Sequence, residues 1–396
     1  MKIVEMYDEE AIENVAASLK YQNDELILIG YNLRKMEKGV ANIKNMFDAM
    51  GREIKITCIE VIKNNLELML EKIEQLINDE SFDVENSLFN VNGGDDLVLV
   101  AMGIMANKYN INIISFDVTK SKVLWQLNGG SRDTFVENEG KNSMTVRENI
   151  LLHGGEVVGP ENTPGCYYPW SFDEEFCNDV NTMWDICKED CLKWNREISD
   201  MQNLVDKATG LIFGKPNDTM NKLVEAGFIE YLGNGVRETF VFKNETVKDI
   251  LMKVGDILEL YVTITAMGVN REDNNKLFAD VKTGVVIDWD GVIHDIHDRD
   301  KDTRNEIDVI LMKGVCPIFI SCKNGDVSID ELYKLNTVAE RFGGKYAKKM
   351  LIATYFGKKG TAKDYFVQRA QDMKIQLITE AQALSREELE KRLKNI

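Results

Sequence analysis

The first 127 residues alternate short apolar runs with segments of helical periodicity, and this alternation restricts the chain to few folds. The apolar runs are 25–30, 54–60, 87–91, 111–116 and 122–127, and the helical segments between them are 10–20, 38–49, 64–78 and 96–108. Alternation of this kind predicts a mostly parallel sheet with helices on both faces. Ligands of such folds bind at the carboxyl ends of the strands, on loops that lead into helices.

One of these loops is rich in glycine. Asn92, Gly93, Gly94, Asp95 and Asp96 connect the run SLFNV to the following helix. Two glycines allow backbone N–H groups to approach a ligand closely, and a helix N-terminus favours a phosphate. An ordinary strand–helix turn with Asp as its N-cap has the same sequence pattern, so the loop alone leaves both interpretations open.

Length and composition predict a multidomain globular protein. A chain of 396 residues suggests two or three domains, and 44% hydrophobic with 29% charged residues is typical of folded chains. The chain has no run of 18 apolar residues, so we expect no membrane-spanning helix, and its first residues lack the pattern of a signal peptide. Seven scattered cysteines suit reduced thiols, so we expect a cytoplasmic protein.

Charge is distributed unevenly along the chain. The net charge of −18 argues against general nucleic-acid binding. Residues 323–396, however, contain 15 basic and 10 acidic residues, and residues 341–363 contain seven basic residues and no acidic one. We therefore expect a phosphate-bearing substrate to contact the C-terminal part of the chain.

The middle of the chain, residues 128–245, is the least regular part. An amphipathic segment at 172–205 contains Cys187 and Cys191, for which we expect one helical face and core packing, because no second pair completes a zinc site. A helix and a hairpin turning at 233–235 outline a small winged-helix-like module. We expect an interdomain spacer here in preference to a DNA reader.

From about residue 246 the pattern is helix, strands, helix, strand and helix, and two of the strands carry polar residues. Glu306 and Asp308 alternate on one strand, and Ser321 and Lys323 on the next, so each pair is predicted to share a face. Carboxylates beside a lysine suit metal-assisted phosphodiester hydrolysis, with Mg²⁺ or Mn²⁺ as the cation. The alternative is a pair of solvated strand edges.

These motifs resemble those of a known family. The strings NEIDV at 305–309, FISCKNG at 319–325 and FGGK at 342–345 resemble the PD-(D/E)xK nuclease core, and Glu259 lies on a helix that resembles its leading helix. The loop at 92–96 is similar to the ligand loop of CARF domains, the cyclic-oligoadenylate sensors of type III CRISPR systems. Together the chain resembles a CARF–nuclease fusion of the CRISPR ancillary effectors.

The resemblance implies an α/β architecture in three parts. These are a Rossmann-like CARF sensor at 1–150, a linker with a winged-helix-like segment at 151–245, and a restriction-endonuclease-like PD-(D/E)xK nuclease at 246–396. The implied function is a cyclic-oligoadenylate-activated, metal-dependent nuclease that cuts single-stranded RNA, DNA or both in antiviral defence.

The resemblance also implies roles for particular residues. Asp308 is expected to be the central metal ligand, with Glu259 as a further carboxylate and Lys323 as the catalytic lysine. The chain departs from the pattern at Ser321, which replaces the acid of (D/E)xK, and a hydroxyl is a poor substitute for a carboxylate in holding Mg²⁺. We expect Glu306 to supply the missing charge.

The Cys322 backbone carbonyl is expected to be a further metal ligand. Cyclic tetra-adenylate or a related ring is the implied activator, and its two-fold symmetry suits a homodimer. Because the loops are acidic, we expect recognition through backbone N–H groups and neutral hydrogen bonds. The expected ligand-binding residues are Asp8, Glu9, Asn14, Arg34, Asn92, Gly93, Gly94, Asp95 and Asp96.

Two other functions fit parts of the sequence. A CARF transcription regulator with a degenerate nuclease core would explain Ser321. A haloacid-dehalogenase-like phosphatase would use Asp288 of IDWDG as its nucleophile, although the acidic pair expected after a late strand is missing. His294, His297 and Asp298 form a possible metal cluster, for which we expect a solvated loop instead.

Overall fold

The N-terminal part of the chain forms a six-stranded, mostly parallel sheet. The computed structural model describes residues 1–21, 23–119, 122–127, 143–235, 237–253, 256–272, 274–294 and 302–396. The strands of this sheet are β1 (Lys2–Met6), β2 (Glu25–Gly30), β3 (Lys55–Glu60), β4 (Ser87–Asn90), β5 (Asn112–Asp117) and β6 (Lys122–Leu127). Its helices are a 3-10 helix at Ala11–Asn14, α1 (Ala16–Tyr21), α2 (Leu33–Ala49), α3 (Leu66–Ile77) and α4 (Asp96–Tyr109).

The strand order is β3-β2-β1-β4-β5-β6, and only β6 runs antiparallel to its neighbour. This arrangement is the Rossmann-like sheet that the alternation of strands and helices predicts. The central strand β1 is formed by KIVEM, in which the buried Glu5 interrupts the apolar pattern. Because β1, β2 and β4 are adjacent and parallel, the loops after them meet at one edge of the sheet.

The middle of the chain contains a small three-stranded antiparallel sheet. Its elements are α5 (Val146–Leu152), β7 (Glu156–Val157), a 3-10 helix at Pro160–Asn162, α6 (Glu174–Cys187), α7 (Cys191–Gln202), β8 (Ile212–Phe213), α8 (Asp218–Glu225), β9 (Ile229–Asn234), β10 (Glu238–Phe242) and α9 (Glu245–Met252). The order β8-β10-β9, next to α8, agrees with the predicted helix and hairpin.

The two cysteines of this region lie on different helices. Cys187 is the last residue of α6 and Cys191 is the first residue of α7, so the predicted shared helical face is wrong. Both side chains are buried in the core, as expected.

The C-terminal part forms a second six-stranded sheet, of mixed direction. Its elements are α10 (Asp256–Gly268), β11 (Asp280–Asp288), β12 (Arg304–Lys313), β13 (Cys316–Lys323), α11 (Ile329–Gly343), a 3-10 helix at Gly344–Tyr346, β14 (Lys348–Ala353), α12 (Thr361–Asp372), β15 (Ile375–Thr379), a 3-10 helix at Ala381–Ala383 and α13 (Arg386–Lys394). The order is β15-β14-β13-β12-β11-β7, so one edge strand comes from the middle of the chain.

Each face of this second sheet packs on a different core. One face shares a continuous apolar core with the N-terminal sheet, in which Ile3 and Phe47 join Phe319 and Phe342. The other face packs against α10 and the middle helices, where the rings of Trp184 and Tyr261 stack 4.9 Å apart. Within the described part of the chain, no helix is long and apolar enough to cross a membrane.

Candidate active site and strand-end cavity

The carboxylate of Asp308 on β12 is held by the neighbouring strand β13. Its Oδ2 accepts a hydrogen bond from the Cys322 N–H at 2.6 Å and another from the Ser321 hydroxyl at 3.2 Å. The ammonium group of Lys323, at the end of β13, lies 3.3 Å from the same oxygen. These contacts place the predicted aspartate and lysine side by side and fix the orientation of the carboxylate.

The alternation of side chains along β12 is interrupted next to Asp308. Ile307 packs in the core shared with the N-terminal sheet, whereas Val309 packs in the opposite core, although simple alternation would put both on one face. Asp308 lies opposite Gly284, whose φ is +57°, a conformation that favours glycine. Regular alternation therefore breaks between Ile307 and Val309, and the Asp308 carboxylate contacts β13, while the shared face of Glu306 and Asp308 stays a prediction.

Lys323 contacts a second carboxylate that the sequence analysis missed. Glu331 Oε2, in the first turn of α11, lies 3.5 Å from Lys323 Nζ. Burial favours the neutral amine, but the negative charges of Asp308 and Glu331 outweigh it and raise the pKa of Lys323. The side chain is therefore a cation at neutral pH, suited to stabilising developing negative charge. The sequence did contain a signal for this contact, because the acidic pair Asp330 and Glu331 follows SCKNG by a few residues.

Glu259 and Glu306 line a cleft beside this pair. The cleft has a volume of about 400 Å³, and Thr283 and Gly284 of β11 also line it. Thr283 donates a hydrogen bond to the Asp308 carbonyl at 3.0 Å, so the cleft begins next to Asp308. The negative charge of Glu259 also contributes to raising the pKa of Lys323, after burial and the nearer carboxylates. The Glu306 side chain is exposed and makes no described contact with Asp308.

The donor atoms of the site suit a hard cation that keeps part of its water. Thr354 N–H donates to the Lys323 carbonyl, and Cys322 N–H points to Asp308. Because backbone groups alternate along a strand, the Cys322 carbonyl faces the Asp308 side. Among the described residues no three His, Cys, Asp or Glu side chains form a metal cluster. One carboxylate, one carbonyl and water nevertheless fit Mg²⁺ or Mn²⁺.

A second cavity lies at the edge of the N-terminal sheet where β1, β2 and β4 end. It has a volume of about 510 Å³, and four of its residues, Asp8, Glu9, Gly94 and Asp95, are among the predicted ligand-binding residues. Asp8 Oδ2 accepts the Gly94 N–H at 2.9 Å and Asp8 Oδ1 accepts the Glu10 N–H at 2.7 Å. Asp8 therefore fixes the glycine-rich loop.

The glycines of this loop have no room for side chains. Gly93 and Gly94 have φ values of +60° and +87°. A Cβ on Gly93 would lie 2.7 Å from Asp8 Oδ2, and one on Gly94 would lie 2.6 Å from Met6 Sδ. The loop therefore requires glycine at both positions for close packing on β1, as well as for any ligand.

Other predicted ligand-binding residues make hydrogen bonds within the protein or lie outside the cavity. The buried Asn14 side chain accepts the Asp8 N–H at 2.7 Å and donates to the Asp8 carbonyl at 2.8 Å, so it shapes the loop after β1. Asn92 holds the backbone of Phe116 on β5, accepting its N–H at 2.5 Å. Arg34 and Asp96 are exposed and do not line the cavity.

The loop after β2 supplies cavity residues that the sequence analysis missed. Tyr31, Asn32 and Lys35 line the cavity, and Lys35 forms an ion pair with Glu9. Burial, together with Asp95, raises the pKa of Tyr31 to about 12. The signal was available, because the rule that ligands bind at strand ends applies to the end of ELILIG as well as to the glycine-rich loop.

The basic stretch at 341–363 is largely committed to internal contacts. Arg341 donates to the His153 carbonyl at 2.7 Å, Lys349 donates to Asn336, and Lys358 contacts Asp326. Lys359 and Lys363, by contrast, are exposed. Much of the positive charge counted from the sequence is therefore unavailable to a substrate.

The fold brings the site and the cavity together in one chain. Asp308 and Lys323 lie side by side on adjacent strands of the mixed sheet, and the Rossmann-like sheet has a cavity where its strands end. Residues 247–395 match the family model of the Card1-like endonuclease domain. The predicted nuclease resemblance is confirmed for this part of the chain. A comparison with curated proteins finds no match.

Solved structures share the whole fold at low sequence identity. Protein VC1899 from Vibrio cholerae has 18% identity and a TM-score of 0.72, covering 100% of this chain and 97% of its own. Can2 from Sulfobacillus thermosulfidooxidans, solved with cyclic tetra-adenylate, has 15% identity and a TM-score of 0.65, covering 99% and 97%. A type III CRISPR defence DNA nuclease activated by cyclic oligoadenylate has 12% identity and a TM-score of 0.50, covering 90% and 46%.

The phosphatase alternative does not fit the structure. Asp288 lies at the end of β11, which is antiparallel to both β12 and β7, whereas that fold needs its nucleophile on a parallel strand. Asp288 is buried and accepts the Gly291 N–H at 3.0 Å. His294 contacts Asp302 within the described chain, while His297 and Asp298 lie outside the described residues.

Proposed function

We propose that the protein is a nuclease of type III CRISPR antiviral defence that a cyclic oligoadenylate activates. The observation that carries this proposal is the Asp308–Lys323 pair within the Card1-like endonuclease domain, in one chain with a strand-end cavity on a Rossmann-like sheet. The shared fold of Can2, solved with cyclic tetra-adenylate, supports that ring as the activator. The expected setting is the cytoplasm.

Mg²⁺ or Mn²⁺ is the proposed cofactor. Asp308 and the Cys322 carbonyl would hold the ion, with Glu259 acting directly or through water and Glu306 at the mouth of the same cleft. When bound, such an ion lowers the pKa of water and polarises a phosphate. Ser321 contributes no charge, so its hydroxyl serves to orient Asp308.

The chain's own residues then have distinct roles. Asp308 is held in one orientation by β13, which reduces the reorganisation needed during reaction. Lys323, kept cationic by Asp308 and Glu331, stabilises the negative charge that develops on the phosphate. Single-stranded RNA, DNA or both are the proposed substrates, because a flexible chain can follow exposed lysines such as Lys359 and Lys363, which come after β14, the strand next to β13.

The sensor cavity supplies the regulation. A ring with two-fold symmetry suits a homodimer in which each protomer provides one half-site. Activation requires the ring to bind the active arrangement more tightly than the resting one. Asp8, Gly94 and Asp95 line the cavity and are the proposed contacts of the ring.

Cleavage of labelled single-stranded RNA and DNA tests the proposal. The assay contains Mn²⁺ with or without cyclic tetra-adenylate, and runs Asp308→Ala and Lys323→Ala beside the parent. Cleavage should require the ring, the metal and both side chains, while ring binding by the variants stays unchanged. Asp330→Asn, an exposed acid of α11, is the matched control. An Asp308→Ala variant that cuts at the parental rate would refute the site.

The regulator remains the second candidate, because the helix and three-stranded sheet of the middle region do form. Tight ring binding without cleavage under any ring or metal would favour it. Against it, α8 carries Asp218 and Glu225 beside a single lysine, which suits DNA poorly.

A further inference from the structure

The cleft next to Asp308 has walls of contrasting chemistry. The carboxylates of Glu259 and Glu306 line it together with the half-buried rings of Tyr168 and Trp170. These two rings contact each other with their centroids 4.5 Å apart and tilted by 45°. They belong to the extended segment after the Pro160–Asn162 3-10 helix, for which the sequence suggested no role.

The two rings, called the aromatic wall below, are held by contacts with the rest of the protein, and a cation lies over one of them. Trp170 also packs on Phe176 of α6, with a centroid distance of 5.4 Å. Tyr168 donates its hydroxyl to Asp249 at 2.7 Å, and Lys253 lies 4.9 Å above its ring. A flat apolar surface fixed by these contacts is suited to stacking against a planar ligand.

A second cation, Arg304, also lines the cleft. Arg304, at the start of β12, donates to Asn162 at 2.7 Å and pairs with Asp302, so its guanidinium is fixed at the cleft wall. Two cations beside an aromatic wall recognise a ligand that has both a flat ring and an anionic group. A nucleotide is such a ligand, and a volume of about 400 Å³ is large enough for one.

The occupant must be part of the substrate. Two carboxylates assigned to catalysis form the cleft wall, so a separate small molecule bound there would block the reaction. We propose that the cleft binds one nucleotide of the single-stranded substrate adjacent to the scissile phosphate, with its base against Trp170 and its phosphate near Lys253 and Arg304. This inference rests on the proposed nuclease function and assigns a substrate-binding role to the middle segment.

Abasic substrates test the proposal. Fluorescent single-stranded oligonucleotides with one dominant cut site carry a single abasic nucleotide at each of the flanking positions in turn. One or two positions should lose roughly tenfold to a hundredfold in kcat/KM, the usual worth of one stacked base. In Trp170→Leu the intact substrate should slow by a similar factor, and the abasic penalty should disappear.

Matched variants separate stacking from folding. Trp170→Phe keeps a ring and should keep the abasic penalty, and Tyr231→Leu, an exposed aromatic on β9, should behave as the parent. Melting temperature identifies any variant that fails to fold. If Trp170→Leu does so, Lys253→Gln replaces it and should weaken oligonucleotide binding with a smaller salt dependence.

Two results would overturn the inference. A flat abasic profile in a parent enzyme that still needs the ring, the metal and Lys323 would refute the cleft and leave the nuclease function intact. If the parent does not cut at all, the proposed function fails. Nucleotide binding by the cleft is then tested on its own, by comparing the affinities of Lys323→Ala for intact and abasic labelled oligonucleotides, measured by fluorescence anisotropy. Equal affinity for intact and abasic strands would then refute it.

Discussion

The ammonium group of Lys345 lies 2.9 Å from Oε1 of Glu13, and this ion pair joins the nuclease part of the chain to the 3-10 helix that follows β1. The Lys345 N–H also donates to Glu10 at 2.8 Å, and the Tyr346 hydroxyl donates to Glu13. The same turn is tied to the glycine-rich loop through Asp8. A continuous set of contacts therefore links the sensor cavity to the connection between α11 and β14.

Lys345→Gln should uncouple ring binding from cleavage. The substitution removes the charge that pairs with Glu13 while leaving the sensor cavity and the Asp308–Lys323 pair unchanged. Coupling between sites is typically worth about 5–150-fold. We expect ring affinity within about twofold of the parent and stimulation of cleavage reduced roughly tenfold. Calorimetry measures the first quantity and a cleavage time course the second.

Lys348→Gln is the control for this variant, because Lys348 is an exposed lysine three residues further along the chain. It should retain full stimulation. If Lys345→Gln were stimulated as strongly as Lys348→Gln, the ion pair with Glu13 would have no part in the coupling.

Glu331→Gln should slow cleavage roughly tenfold without changing ring affinity. Glu331 keeps Lys323 both charged and oriented, and an amide cannot balance the ammonium group. Because the carboxylate raises the pKa of Lys323, its loss should also move the alkaline limb of the pH–rate profile to lower pH. The measurement is kcat from about pH 7 to about pH 11.5, a range that extends above the ordinary lysine pKa of 10.5, with Asp330→Asn as the control. An unchanged profile would show that Glu331 only packs.

The sequence was sufficient to predict the strands and helices whose residues follow a single periodicity. Five strands of the N-terminal sheet lie where the apolar runs predict them, whereas β1, in which Glu5 interrupts the apolar pattern, is not among those runs. The pair Asp308 and Lys323 is brought together as expected. Local patterns alone carry this information, since a strand has period two and a helix period 3.6.

Tertiary packing determined what the sequence did not show. Regular alternation did not show that Ile307 and Val309 pack in opposite cores, because that break depends on the paired strand, where Gly284 has a positive φ. Counting charges could not show that Arg341 and Lys349 bond to the protein, because their partners are distant in sequence. Trp170 was missed for the same reason: its segment has no periodicity, and its position next to the catalytic carboxylates exists only in the fold.

Asn195→Ala should impair the loop that follows Lys323. Asn324 Nδ2 donates to Asn195 Oδ1 at 2.9 Å, the Asn195 amide donates back to the Asn324 carbonyl, and Thr354 donates to Asn324 at 3.0 Å. Loss of one partner should cost about 1–3 kcal/mol of stability. We also expect a several-fold fall in kcat with KM unchanged, measured by urea unfolding and steady-state cleavage.

Asn203→Ala, at the C-cap of the same helix, serves as the comparison. Among the described contacts the Asn203 side chain bonds locally, to the Ser199 carbonyl at 3.0 Å, so this variant should keep the parental kcat. Equal effects of the two substitutions would mean that α7 stabilises the fold without positioning the catalytic loop.

Glu5→Gln should stabilise the protein at alkaline pH. Glu5 is fully buried in β1 and bonds to Asn90 at 2.7 Å. Burial, which outweighs that hydrogen bond, raises its pKa from 4.5 to about 8. The folded state therefore holds a proton that the unfolded state releases above pH 4.5, so the parent loses stability as the pH rises from about 4.5 to about 8.

The amide has no proton to release, so the variant should match the parent near pH 4.5 and exceed it increasingly towards pH 8. Urea unfolding at both pH values measures the difference. Glu25→Gln supplies a control of opposite sign: hydrogen bonds from Lys55 and Lys2 outweigh burial and lower the pKa of Glu25 to about 2, so its loss should destabilise the protein at pH 8. A Glu5→Gln variant that gained no stability between the two pH values would show that Glu5 is ionised in the folded protein.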